Sequence, residues 1–118
     1  MTGTQIKRAY ITSKALYDKA ITELDRRTAH LPYDDPDRLE EIVGFEMQVR
    51  EDLNLGQLRN DLKAAEKLLL DWAKEKIATH PLTATKFAAM ADDLEKVFTS
   101  YRLDIRRKII DLSLRLEE

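Results

Sequence analysis

The chain has 118 residues, the length of one ordinary domain. Hydrophobic residues make up 43% of it and charged residues 36%, so we expect a folded core beneath a strongly charged surface. Three glycines and three prolines are too few for the turns of a β-sandwich or barrel, and the lack of cysteine excludes disulfides, cysteine–zinc sites and thiol catalysis. We predict an all-α fold, an elongated antiparallel bundle of three to four long helices in one domain over residues 1–118.

The first predicted helix covers residues 4–30, with Thr4 as its N-cap. Its apolar residues recur at helical spacing, and Pro32 ends it because proline disfavours helical conformation at the residue before it. The next predicted helix covers residues 36–53. Asp35 suits its N-cap, and Pro36 suits the first helical position, where a missing N–H costs nothing.

Two apolar stripes follow one another between residues 36 and 79. One face of the first stretch carries Leu39, Ile42, Val43, Val49 and Leu53, and the second carries Leu55, Leu58, Leu62, Ala65, Leu69 and Trp72. Their different directions fit either one continuous helix over 36–79 or a break at Asn54-Leu55-Gly56. Glycine after asparagine is a common composition at helix ends, which favours the break and a separate helix over 56–79.

The last predicted helix covers residues 84–116. Its apolar residues step by three and four over the whole length: Phe87, Ala91, Leu94, Phe98, Tyr101, Ile105, Ile109, Leu112 and Leu116. This regular spacing predicts a single unbroken helix.

Charge is unevenly distributed along the chain, although the formal net charge is only -2. Residues 1–31 carry six basic and three acidic side chains, whereas residues 32–56 carry two basic and eight acidic ones. We therefore expect the acidic segment to dock beside the basic first helix.

Some apolar side chains lie off the predicted seams, and they form the candidate interface: Leu70, Ile77, Leu103, Ile110 and Leu114. Burying such a side chain contributes on the order of 1.5–3 kcal/mol, so a large driving force is available for covering them. Neighbouring helices of the same chain are one possible cover. Self-association as a two-fold homodimer is the other, and it is the one we predict.

Glu46 lies within the stripe of the second helix, and Arg50 follows one turn later. We interpret them as a candidate buried ion pair, because a buried carboxylate is costly without a partner. The alternative is a functional carboxylate that acts as a ligand or as an acid or base. A metal-dependent hydrolase would need Asp37, Glu41 and Glu46 to converge, but the sequence lacks the carboxylate and histidine spacing of the usual helical metal sites.

The strongest candidate basic patch is Arg102, Arg106, Arg107 and Lys108. It suggests a nucleic-acid-associated regulator, but Asp104 and Asp111 dilute the patch and the isoelectric point is about 5.8. These features argue against nucleic acid as a partner.

No catalytic constellation, glycine-rich phosphate loop, cofactor motif, signal peptide or membrane-spanning run is visible in this sequence. The leading hypothesis is a non-catalytic, cytoplasmic, self-associating helical bundle that needs no cofactor. It would act through protein–protein interaction as an adaptor, regulator or scaffold. The sequence does not identify the partner or the pathway.

Overall fold

The computed structural model describes residues 1–79 and 102–116 of the chain. Its helices are α1 (Gly3–Thr28), α2 (Leu39–Asp52), α3 (Leu55–Thr79) and α4 (Leu103–Leu114), and a 3₁₀ turn (Pro36–Arg38) precedes α2. The helices pack against each other, and the described residues contain no strand. The predicted all-α bundle is therefore confirmed.

Helix α1 begins with a reciprocal cap that involves Thr2 rather than the predicted Thr4. The Thr2 hydroxyl accepts a hydrogen bond from the Gln5 amide over 3.2 Å, and the Gln5 side-chain oxygen accepts one from the Thr2 amide over 2.9 Å. This is a capping box, which satisfies two backbone donors at the helix start. The spacing Thr2-x-x-Gln5 is the sequence pattern of a capping box.

The linker between α1 and α2 follows the sequence prediction. Asp35 is extended, and its side chain accepts a hydrogen bond from the Asp37 amide over 3.0 Å. Pro36 occupies the first position of the 3₁₀ turn, so the turn begins at the predicted helix start and α2 itself begins at Leu39.

Two residues, Leu53 and Asn54, separate α2 from α3. Asn54 has a φ angle of 54°, in the left-handed region that asparagine tolerates better than most residues. The predicted break is therefore confirmed, and the continuous helix over 36–79 is excluded. The left-handed residue is Asn54, whereas Gly56 lies inside the first turn of α3.

Helix α4 begins later than the sequence predicts. Arg102 is extended, with φ -71° and ψ 124°, so the predicted helix over 84–116 does not run unbroken through it. Ile105, Ile109 and Leu112 keep the same steps of four and three in the sequence, so apolar spacing alone does not mark this start. The seam residues from Phe87 to Tyr101 lie outside the described residues.

Contacts divide the chain into two compact units: residues 11–63 form one, and residues 1–10 with 64–118 form the other. Helices α1 and α3 contribute to both. In the unit of residues 11–63, the α1 residues Ala20 and Leu24 form a buried cluster with Val49 and Leu55. The acidic segment thus packs on the basic first helix, as expected.

The other unit has its own buried positions, spaced by four residues along α3: Ala65, Leu69, Ala73 and Ile77. Ile109 and Ser113 are buried on α4, where the Ser113 hydroxyl donates to the Ile109 carbonyl over 2.7 Å. Satisfying the hydroxyl within its own helix makes this polar side chain tolerable in a core.

Candidate interaction surfaces

The outward side of α2 carries a row of exposed apolar side chains, which we call the α2 stripe: Leu39, Val43 and Met47. Their side chains are 59%, 45% and 61% exposed. Residues four apart lie on one side of a helix, so the three side chains form a continuous ridge. A single exposed apolar residue is unremarkable, but a contiguous row indicates a contact surface.

The stripe differs from the core-facing side that the sequence predicts for this helix. Only Ile42 and Val49 of the predicted set are buried, and Leu53 is half-buried. Leu39 and Val43 are exposed, although we predict them on the same face as Ile42. Helix α2 packs only a narrow side against α1. Apolar residues at the edge of that side therefore remain exposed to solvent.

The outward side of α1 also carries exposed apolar residues. Ile11 and Leu16 are both exposed at the two edges of this side, about 140° apart around the helix, and the exposed Lys19 lies between them. Lys14 pairs with Asp18 over 2.9 Å. We call Ile11, Leu16 and Lys19 the α1 outer face.

A carboxylate-centred ion cluster closes the end of α1. The Glu23 carboxylate accepts hydrogen bonds from Arg26, over 2.9 Å to its Nε, and from Arg27 over 2.8 Å. These two guanidinium groups lower the pKa of Glu23 to about 2. The cluster occupies both arginines and is structural in character.

Glu46 does not form the predicted buried ion pair with Arg50. The Tyr33 hydroxyl donates a hydrogen bond to the Glu46 carboxylate over 2.6 Å, and this bond raises the pKa of Tyr33. Arg50 is exposed, and among the described contacts no ion pair joins it to Glu46. The prediction was wrong because a tyrosine thirteen residues away reaches the carboxylate. Spacing along one helix cannot show such a partner.

The five residues of the candidate interface fall in different environments. Ile77 is only 5% exposed, so it belongs to the core of its own chain and is not available to a partner. The buried residues of α3 are spaced by four, so the buried side turns gradually around the helix and reaches Ile77. Trp72, which the sequence places on the predicted seam, is only half-buried. Leu70, Ile110 and Leu114 are half-buried, and Leu103 is 70% exposed.

The candidate basic patch is partly neutralised. Arg102 pairs with Asp104 over 2.9 Å, and Arg106 forms an ion pair with Glu66 of α3. Arg107 and Lys108 are exposed. Two of the four cations therefore have carboxylate partners, which leaves less positive charge for a polyanion than the sequence suggests.

Metal-ligating side chains are not clustered in the described part of the chain. Within residues 1–79 and 102–116, no three histidine or acidic side chains are grouped so that they could hold a metal ion. Asp37, Glu41 and Glu46 therefore do not converge.

None of the described helices combines the length and the apolar character that crossing a membrane requires.

Comparison with known proteins adds no relative. Neither a protein-family model nor a curated protein nor a solved structure matches the chain. The function is therefore argued from the surfaces alone. Sequence reasoning missed the α2 stripe, although the spacing 39, 43, 47 would have marked it once the side of α2 facing α1 was known.

Proposed function

We propose that this protein is a non-catalytic, self-associating helical bundle that acts through protein–protein contacts, as an adaptor, regulator or scaffold. The observation that carries the proposal is the α2 stripe, a row of three apolar side chains left in solvent on a well-formed helix. Covering such a row is favourable by about 25 cal/mol for each Å² of apolar surface removed from water.

The occupant that fits the stripe best is the α1 outer face of a second copy. The segment that contains the stripe has eight acidic and two basic side chains, and the segment that contains the α1 outer face has six basic and three acidic ones. Both surfaces offer exposed apolar side chains, and the segments that carry them have opposite net charge. Two copies related by a two-fold axis can make this contact twice, since each supplies both surfaces.

Pairing two α2 stripes with each other is less favourable. That arrangement would bring two strongly acidic segments together, and like charges across an interface repel. Charge complementarity therefore selects α1 over α2 as the partner element.

Light scattering on a size-exclusion column, over a wide concentration range, tests the proposal directly. We expect the mass to rise from 13.7 kDa toward twice that value as concentration increases. Replacing Val43 and Met47 by serine should keep the chain monomeric. Leu68→Ser is the matched control, because Leu68 lies on α3 and is as exposed as Val43.

The charge component has a separate test. Lys19→Glu and Glu40→Lys should each weaken association, and combining them should restore part of it because the two signs are exchanged. A wild-type mass of 13.7 kDa at every concentration would overturn self-association. A dimer that survives loss of Val43 and Met47 but is disrupted by Leu103→Ser would instead place the interface on α4.

A further inference from the structure

An open cavity of about 510 Å³ lies where α1 faces the junction of α2 and α3. Tyr17, Ile21 and Leu55 form its apolar side, and Arg50, Glu51 and Arg59 are its charged residues. All of these residues belong to the unit of residues 11–63. The volume is within the range of small-molecule sites.

Arg50 reaches this cavity without a carboxylate partner. Its natural partner along α2 is Glu46, four residues earlier, because oppositely charged residues at this spacing pair on a helix. The Tyr33 hydroxyl holds Glu46 instead. Among the described contacts the Arg50 guanidinium therefore has neither an ion pair nor a hydrogen bond.

Arg59 is left without a partner for a different reason. The residues three and four positions away from it on α3 are leucine, glycine and lysine, so the helix offers it no acidic side chain. The nearby Asp61 accepts a hydrogen bond from the Gln57 amide group over 2.7 Å. In the described part of the chain Arg59 makes no ion pair.

Two unpaired guanidinium groups therefore line one cavity whose lining also includes apolar side chains and the phenol ring of Tyr17. Glu51 offsets one of the two positive charges, which leaves the lining with a net positive charge. Guanidinium groups bind planar or tetrahedral oxyanions through paired N–H donors, and an aromatic floor favours an organic body over a bare ion.

We propose that this cavity binds a small organic anion. Arg50 and Arg59 hold its phosphate or carboxylate group, and an apolar or aromatic body lies against Tyr17, Ile21 and Leu55. The site shares no residue with the α2 stripe or the α1 outer face, so this proposal can be tested independently of self-association.

Titrations followed by two-dimensional amide NMR test the proposal, with phenyl phosphate, benzoate, inorganic phosphate and uncharged phenol as probes. We expect saturable shifts around Arg50, Asn54 and Arg59 with phenyl phosphate or benzoate, and weaker binding of inorganic phosphate and of phenol. Phenyl phosphate binding without benzoate binding assigns the site to phosphate esters, and the reverse assigns it to carboxylates.

Variants separate this site from general charge attraction. Arg50→Ala and Arg59→Ala should each weaken binding about tenfold, whereas Arg107→Ala removes an exposed cation outside the cavity and should leave binding unchanged. Both cavity arginines are exposed, so the variants keep the fold, which the spectra report directly. Absence of saturable binding by both organic anions, or equal binding in all three variants, would overturn the proposal.

Discussion

The Tyr33 hydroxyl and the Glu46 carboxylate are joined by a hydrogen bond of 2.6 Å that connects the α1–α2 linker to the middle of α2. The bond has two consequences. It holds the linker against α2 beside the His30–Phe45 edge-to-face ring contact, whose centroids are 6.3 Å apart, and it gives Glu46 a partner other than Arg50. One local bond thus stabilises a turn and leaves a cation beside a cavity.

Tyr33→Phe should lower the thermal midpoint of unfolding, because it deletes this bond and leaves the ring in place. The hydrogen bond to Glu46 raises the pKa of Tyr33 in the folded state above its ordinary value near 10. Its contribution is therefore fully present below pH 10 and is lost as pH rises through the folded-state pKa. Thermal melts from neutral to strongly alkaline pH should show the wild type and Tyr33→Phe converging at the alkaline end. Tyr17→Phe is the control, since no hydrogen bond from the Tyr17 hydroxyl is present among the described contacts. A difference in thermal midpoint between wild type and Tyr33→Phe that stays constant with pH would contradict the assignment.

Asn54→Ala should lower the free energy of unfolding by about 1 kcal/mol, because alanine is disfavoured at a positive φ angle. Asn54→Gly should be close to neutral, since glycine adopts this conformation without steric cost. Denaturant titrations of both variants measure the difference. The matched control is Asn60→Ala on the exposed side of α3, where the same substitution should raise stability by a few tenths of a kcal/mol. Equal effects at positions 54 and 60 would argue against the left-handed junction.

Gly44→Ala should raise the free energy of unfolding of the monomer by roughly 0.5–1 kcal/mol. Gly44 lies inside α2, where glycine is less favourable than alanine, and a Cβ built there meets no atom within 4 Å. Chemical unfolding at low protein concentration measures this gain without contribution from association. A loss of stability would mean that Gly44 has a neighbour in the monomer.

Leu69→Ala should cost about 2–5 kcal/mol, the usual loss for a core leucine that leaves a cavity behind. Leu69 has no exposed surface, whereas the adjacent Leu68 is 45% exposed, so Leu68→Ala is a control on the same helix with the same chemical change. Urea unfolding of the two variants gives both values. A similar loss in both would show that the buried side of α3 is not the one described.

Much of the fold follows from local sequence signals. Asp35 and Pro36 start the α2 segment as predicted, and the pair Asn54 and Gly56 marks the break before α3, because capping and left-handed backbone preferences act over a few residues. The cap at Thr2 obeys the same local rule, although Thr4 was the predicted residue. The extended Arg102 has no comparable signal, since no glycine or proline stands near it.

The candidate surfaces could not be predicted in the same way. Helical periodicity establishes that Leu39, Val43 and Ile42 lie near one another, but only packing in the folded chain decides that Ile42 is buried and the other two are exposed. The same is true of Ile77, which lies off the predicted seam and is buried in the folded chain. The helical class, the linker cap and the α2–α3 break all follow from local sequence signals. The tertiary structure alone decided which apolar side chains remain in solvent and which partner each charged side chain has, because both depend on neighbours brought close only by folding.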